Sequence, residues 1–186
     1  MIFPQDPNRR IHRGDALPEE RIAEILRRSH WGTLSTVDAD GGPYGVPIGF
    51  AWDESDGSLI LHTYHSGQKL ENINRDSRVC FSIVGGSELV TDKFSANFES
   101  LIIFGRMEKV AEGEETIRAA KVFCRKFAPK IVAGMEAEAA EQEIDDLALM
   151  VEKAAAVMVM YRIIPSHLSS KKRRGAPLLA NKEAAK

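Results

Sequence analysis

With 186 residues and a formal net charge of −2, the chain is long enough for one domain with a sizeable core. It carries no general attraction to nucleic acid or anionic lipid. Its two cysteines, Cys80 and Cys124, lack CxxC spacing and code neither a zinc site nor a disulfide framework.

In chain order, Met1 to Leu17 is polar, with Pro4, Pro7 and Gly14, and reads as an irregular arm without the apolar core of a signal peptide. A helix is expected from near Pro18 to Ser29, with Asp15 as a candidate cap and Ile22, Ile25 and Leu26 as its apolar stripe. From Trp31 the residues turn β-branched, Asp38 to Gly42 reads as a hairpin loop, and Pro43 to Trp52 as the partner strand. Asp53 to Gly57 then turns the chain into a strand from Ser58 to Thr63. A short helix follows, capped by Ser66, with Leu70 and Ile73 as apolar positions and its end near Arg75. Arg78 to Val84 reads as a strand closed by Gly85 and Gly86. The next strand spans Phe98 to Val110, and its run Leu101-Ile102-Ile103-Phe104 is expected to be buried on both faces. Helices over Glu112 to Phe127, stopped by Pro129, and over Met135 to Met150 precede a last strand from Ala155 to Ile164, ended by Pro165. No apolar run reaches membrane-spanning length, so a cytoplasmic protein is expected.

These elements make the chain mainly β, with six mostly antiparallel strands and flanking helices. A small barrel removes exposed sheet edges, and a sandwich is the alternative that patterning leaves open. The expected organisation is an arm over 1–17, one domain over 18–165 and a polar tail over 166–186, in which Lys171 to Arg174 form a basic run. That run reads as a solvated tail or as a contact to a ligand phosphate.

The chemistry concentrates between Leu59 and Arg78, where an apolar strand ends in His62, Thr63, Tyr64, His65, Ser66 and Gly67, followed by Lys69. A lysine in the first turn of a helix opposes the helix dipole by a few tenths of a kcal/mol, and a bound phosphate would remove that conflict. The competing reading is a solvated Lys69 or one paired with Glu71. His62 and His65 lack a third ligand, so no metal site is expected. Trp31, Phe50 and Trp52 read as core or interface aromatics rather than a base-stacking platform, and no nucleic-acid or membrane partner is expected. No GxSxG, GxxxxGK[ST] or GxGxxG pattern occurs, which excludes the common hydrolase, P-loop and dinucleotide-binding readings.

Four segments in order, Gly41-Gly-Pro-Tyr-Gly-Val-Pro-Ile-Gly-Phe50, Leu59-Ile-Leu-His-Thr63, Gly67-Gln-Lys-Leu-Glu-Asn-Ile73 and Arg78-Val-Cys-Phe81, resemble successive motifs of the flavin-binding split-barrel family related to pyridoxamine 5′-phosphate oxidase. Arg9-Arg10 and Glu99 to Arg106 bring the chain nearest to the Nim-like 5-nitroimidazole resistance branch. The resemblance implies a six-stranded antiparallel split β-barrel and a homodimer holding FMN in grooves between protomers. On the matching positions, Val46, Pro47 and Ile48 would lie beside the flavin ring. His62, Thr63 and Lys69 would contact the flavin or its phosphate, and Ser100 would approach from the partner chain.

Two departures stand out. Tyr64-His65-Ser66 replaces the small and acidic residues of that loop, and Tyr161-Arg-Ile-Ile-Pro165 replaces the Arg-Leu-x-Pro type motif of the oxidases proper, so vitamin B6 oxidation is not expected. What remains implied is an FMN-dependent reductase of small molecules, nitroaromatics foremost. His62 is the candidate to hydrogen-bond flavin or substrate or to deliver a proton, or else simply caps the strand end. The contrasting expectations are a haem-binding or haem-handling protein, for which His12, His30, His62, His65 and His167 are candidate ligands, and a flavin-binding module without turnover.

Overall fold

The amphipathic run Ile22, Ala23, Ile25 and Leu26 builds helix α1 (Glu19–Arg28) and buries that stripe. Glu19 and Glu20 at its start and Arg27 and Arg28 at its end match the helix dipole. The computed structural model describes residues 15–91, 94–127 and 132–174. The remaining elements are β1 (Trp31–Val37), β2 (Pro43–Gly49), β3 (Ala51–Trp52), β4 (Leu59–Tyr64), α2 (Gln68–Arg75), β5 (Arg78–Val90), β6 (Ser95–Lys109), α3 (Glu114–Phe127), α4 (Ala137–Lys153) and β7 (Met158–Arg173). The strands form one antiparallel sheet in the order β2-β1-β5-β6-β7-β4-β3.

Among the described residues seven strands stand where six were expected, because the Pro43 to Trp52 run changes partner at Phe50. Gly49 pairs with Trp31, whereas Ala51 pairs with Ile60. Phe50 is fully buried, its ring meets Phe81 edge-on at 5.2 Å, and its N–H donates to the His30 carbonyl at 3.1 Å. One continuous segment therefore occupies both edges of the sheet, which curls into a barrel. No ladder joins β2 to β4, and this gap is the split. Leu34, Phe81, Leu61, Ile83, Leu101, Ile103 and Ile163 fill the interior. A smaller cluster of Ala51, Ile60, Val110, Ala119 and Met160 lies outside the barrel, with Val122 and Phe123 of α3 and Val151 of α4 packed on it.

Several expectations need correction. Asp15 does not cap α1. The cap position is Pro18, and Asp15 exchanges backbone hydrogen bonds with Lys172. Ser66 does not cap α2, because Gly67 holds that position at φ +121°, a conformation open to glycine. Gly85 and Gly86 do not close β5, which runs on to Val90 with a register shift between Val84 and Gly86. Gly85 instead gives α1 room, since a Cβ there would lie 2.5 Å from Ile25 Cδ1. The Leu101 to Phe104 run is not buried on both faces. Leu101 and Ile103 point inward, while Ile102 is 38% exposed, because a barrel strand alternates and its outer side is uncovered in a single chain.

Pro165 does not end β7. The ladder slips between Phe104 and Gly105, opposite the proline, and this irregularity admits a residue with no N–H. Residues 166–173, expected in the tail, are therefore strand, and Lys171 pairs with Ser100. The arm over 1–14 with Arg9, Arg10 and His12, Pro129, and the tail from 175 lie outside the described residues. Among the described residues no helix is long and apolar enough to cross a membrane.

Candidate functional site

The barrel's split forms a groove of about 220 Å³ lined by Val46, Pro47, Ile48, His62, Thr63, Tyr64, Lys69 and Met158. Six of the seven residues expected at a site thus meet in one place. Ser100 does not join them within one chain: it sits on β6 between Val84 and Lys171. A larger hollow of about 710 Å³ lies elsewhere, between Arg21, Glu88, Glu99 and Lys172 to Arg174. Arg21 there is already satisfied by Glu99 and Glu24, each at 2.5 Å, so the smaller groove is the better candidate.

Each wall follows from local structure. β2 is an edge strand, which is why it tolerates Pro43 and Pro47 without N–H groups. Its Val46 and Ile48 pack partly against the core and give the groove an apolar side. β4 alternates, so Leu61 and Thr63 turn inward while His62 and Tyr64 turn outward. Met158 arrives from the far end of the chain through its pairing with Tyr64.

Lys69 is half-buried in the first turn of α2 and forms no ion pair with Glu71 or with any other described residue. The Leu70 and Glu71 amides donate to the Gly67 carbonyl, whereas the Gln68 and Lys69 amides make no backbone hydrogen bond to a described residue. α2 is fixed to the barrel by the buried bond from Asn72 Nδ2 to Thr36 Oγ1 at 2.9 Å. Thr63 is 6% exposed, and its Oγ1 has no hydrogen-bond partner among the described residues. A buried hydroxyl in that condition is costly, and a ligand atom would satisfy it.

His62 shows its outer edge to the groove and is exposed by area, yet its ring stands perpendicular to Phe123 at 4.8 Å between centroids. Nearby protein thins the water around the imidazole, and this desolvation pushes its pKa below the ordinary 6.5. It is therefore neutral at pH 7, able to donate from one ring nitrogen and accept at the other. His65 plays a different part. Its Nε2–H donates to the Ala155 carbonyl at 2.6 Å, tying the β4–α2 loop to the turn before β7. Among the described residues no group of three or more His, Cys, Asp or Glu could hold a metal ion.

Three residues of this region were not singled out for the groove by sequence: Tyr64, noted only as a departure, Met158, and Phe123 behind His62. Met158 carries no local signal, because only the β4–β7 register brings it there. The residues present suit a flavin bearing a phosphate: among the described residues, the lysine has no ion pair, the neighbouring helix-start amides have no backbone hydrogen bond, the buried hydroxyl has no partner, and an apolar wall stands beside them.

A sequence profile of the family described as pyridoxamine 5′-phosphate oxidase matches residues 18–160. A 5a,11a-dehydrotetracycline/5a,11a-dehydrooxytetracycline reductase from Streptomyces rimosus is 35% identical over 60 residues, a stretch spanning 31% of this chain and 42% of that protein. A conserved hypothetical protein from Mycobacterium tuberculosis superposes with a TM-score of 0.63 at 25% identity, over 89% of this chain and 92% of the other. A candidate 5-nitroimidazole antibiotic resistance protein from Bacteroides thetaiotaomicron follows, with a TM-score of 0.62 at 20% identity over 89% and 96% of the two chains. The fold also recurs in an FAD-binding protein from Mesorhizobium loti (TM-score 0.57, 18% identity, 86% and 98% covered) and in a haem storage protein from Vibrio cholerae (0.51, 19%, 82% and 94%).

Proposed function

Because the chain belongs to the pyridoxamine 5′-phosphate oxidase family, we propose that it is a cytoplasmic homodimer that binds FMN in the split-barrel groove and reduces small conjugated molecules, nitroaromatics foremost. The observation that carries this reading is the meeting in one groove of a half-buried lysine in the first turn of α2 and a buried hydroxyl on β4, neither of which has an ion-pair or hydrogen-bond partner among the described residues. Lys69 and the Gln68 and Lys69 amides would hold the phosphate, and Thr63 Oγ1 would bond the ligand. Val46, Pro47 and Ile48 would lie along the ring. Bound FMN supplies hydride and electron transfer, which no side chain can. His62, neutral at pH 7, would hydrogen-bond a ring or substrate atom and hold a proton at one nitrogen.

Pairing of two chains is supported by the groove itself. About 220 Å³ is below the usual volume of a ligand cavity, roughly 300–1,000 Å³, so a second surface is needed to enclose a flavin. Val84 and Ile102 stand exposed on the outer face of the β5–β6 pair, an apolar surface a second copy would cover. The substrate class is supported by the names of two relatives, a dehydrotetracycline/dehydrooxytetracycline reductase and a 5-nitroimidazole antibiotic resistance protein. Oxidation of vitamin B6 is not part of this reading, since Tyr161 to Pro165 replaces the oxidase motif.

The test is the absorbance spectrum of the protein as isolated, with mass spectrometry of any released ligand, followed by Lys69→Ala. Losing a charge-assisted contact to phosphate is worth about 1.5–3 kcal/mol, so FMN should bind roughly 10- to 150-fold more weakly while riboflavin changes little. Equal losses for both ligands would refute the phosphate role. Turnover of NAD(P)H or reduced flavin with a nitroimidazole separates a reductase from a flavin-binding module. Haem handling is the second reading, favoured by His62, which faces the groove without a hydrogen bond to a described residue, and by the haem storage relative. A Soret band that shifts in His62→Ala would decide for it.

A further inference from the structure

α3 lies outside the barrel, yet two of its side chains reach the strands on either side of the split. Phe123 stands perpendicular to His62 of β4 at 4.8 Å, and Phe127 meets Gly49 at the end of β2, where an added Cβ would fall 3.2 Å from Phe127 Cζ. The two phenylalanines, four residues apart on one helix face, stack on each other at 4.3 Å and 14°, and Phe127 also meets the His30 ring at 5.8 Å. An aromatic row thus runs from one lip of the groove to the other.

His62 makes no hydrogen bond to any described residue, so hydrogen bonding does not set its rotamer. The other described histidines are held otherwise: His65 by the Ala155 carbonyl, His167 by stacking on Phe104, and His30 by Phe127. Phe123 is the ring contact on His62, and an imidazole held only by packing turns when the packing is removed.

We infer that Phe123 is the positioning residue that orients the His62 imidazole toward the groove, with Phe127 bracing it against β2. This role rests on the groove being the site where His62 meets its ligand. It adds that α3, which contributes no groove-lining residue, sets the direction in which His62 presents its nitrogens. The neutral state of His62 follows from the same packing. Around it, β2 contributes uncharged Val46, Pro47 and Ile48, β7 contributes Met158 and Met160, and α3 contributes Phe123. Among the described residues, the other ionisable side chains lining the groove are Tyr64 on β4 and Lys69 on α2, and burial is the cause of the lowered His62 pKa.

The test is proton-carbon NMR of the histidine rings in ligand-free protein, titrated with pH, for wild type, Phe123→Ala and Phe123→Tyr. In Phe123→Ala the ring-current displacement of the His62 resonances should vanish and its titration midpoint should move up toward 6.5, with His65 and His167 unchanged. Phe123→Tyr restores the ring and should return both signals. Should Phe123→Ala fail to fold, Phe123→Leu keeps the apolar volume and must still lose the ring-current displacement. His62 resonances and midpoint in Phe123→Ala, or resonances in Phe123→Leu, identical to wild type would overturn the assignment. No ligand is present in this experiment, so its failure is distinct from failure to take up FMN, which would refute the flavin reading and leave the His62 titration standing.

Discussion

Thr63→Val separates a ligand-binding hydroxyl from a structural one, because the two roles predict opposite signs for stability. Thr63 is 6% exposed and its Oγ1 has no partner among the described residues, so folding strips it of water without replacement. Such a group costs about 1–3 kcal/mol, and the valine that replaces it is close to isosteric. The ligand-free variant should therefore be more stable than wild type by about 1–3 kcal/mol, raising Tm by roughly 2–12 °C at about 2–4 °C per kcal/mol for a domain of this size. Binding should move the other way. Loss of one hydrogen bond weakens FMN by about 0.5–1.5 kcal/mol, or roughly 2- to 13-fold in Kd. Thermal melts without ligand and flavin fluorescence titrations read the two effects on the same preparation. A variant that melts lower than wild type and binds FMN as before would show that Thr63 bonds within the protein, and the reasoning from its unsatisfied oxygen would fail.

Gly105→Ala should lower stability by about 2–3 kcal/mol or more in denaturant melts, because the new Cβ would lie 2.3 Å from the Ile164 carbonyl oxygen, a backbone atom that cannot swing aside. Ile102→Glu should convert the expected dimer to a monomer by light scattering while changing monomer stability by no more than about 0.5 kcal/mol, since Ile102 is 38% exposed; an unchanged mass would remove this face from the interface. Lys126 lies over the Phe50 ring at 4.0 Å and donates to the Leu26 carbonyl at 3.0 Å, and burial pulls its ammonium down to about 8 from the usual 10.5. Between those values the unfolded chain holds a proton the folded chain has released, so wild-type stability should rise as pH goes from about 8 to about 10.5. Lys126→Met should flatten that rise in urea melts taken across the window, and an equal slope in both proteins would contradict it.

What the sequence by itself determined is whatever acts over a few residues. A β-branched run placed β1, a turn followed by an apolar run placed β4, an amphipathic period placed α1 and α3, and a lysine set against a helix dipole drew attention to the start of α2, all within a residue or two of their positions. It also named most of the groove, because Val46 to Ile48, His62, Thr63 and Lys69 each lie in a segment with its own local pattern. The misplaced strand ends share one cause. Gly85, Gly86 and Pro165 read locally as strand ends, yet β5 and β7 run through them, because a long antiparallel partner supplies more hydrogen bonds than one irregular position removes. The break at Phe50, the arrival of Met158 beside Tyr64, and the aromatic row from Phe123 to Gly49 depend on strand register and on where α3 packs. Those are contacts between segments far apart in the chain, chosen by which surfaces bury each other best, and only the tertiary structure decides them.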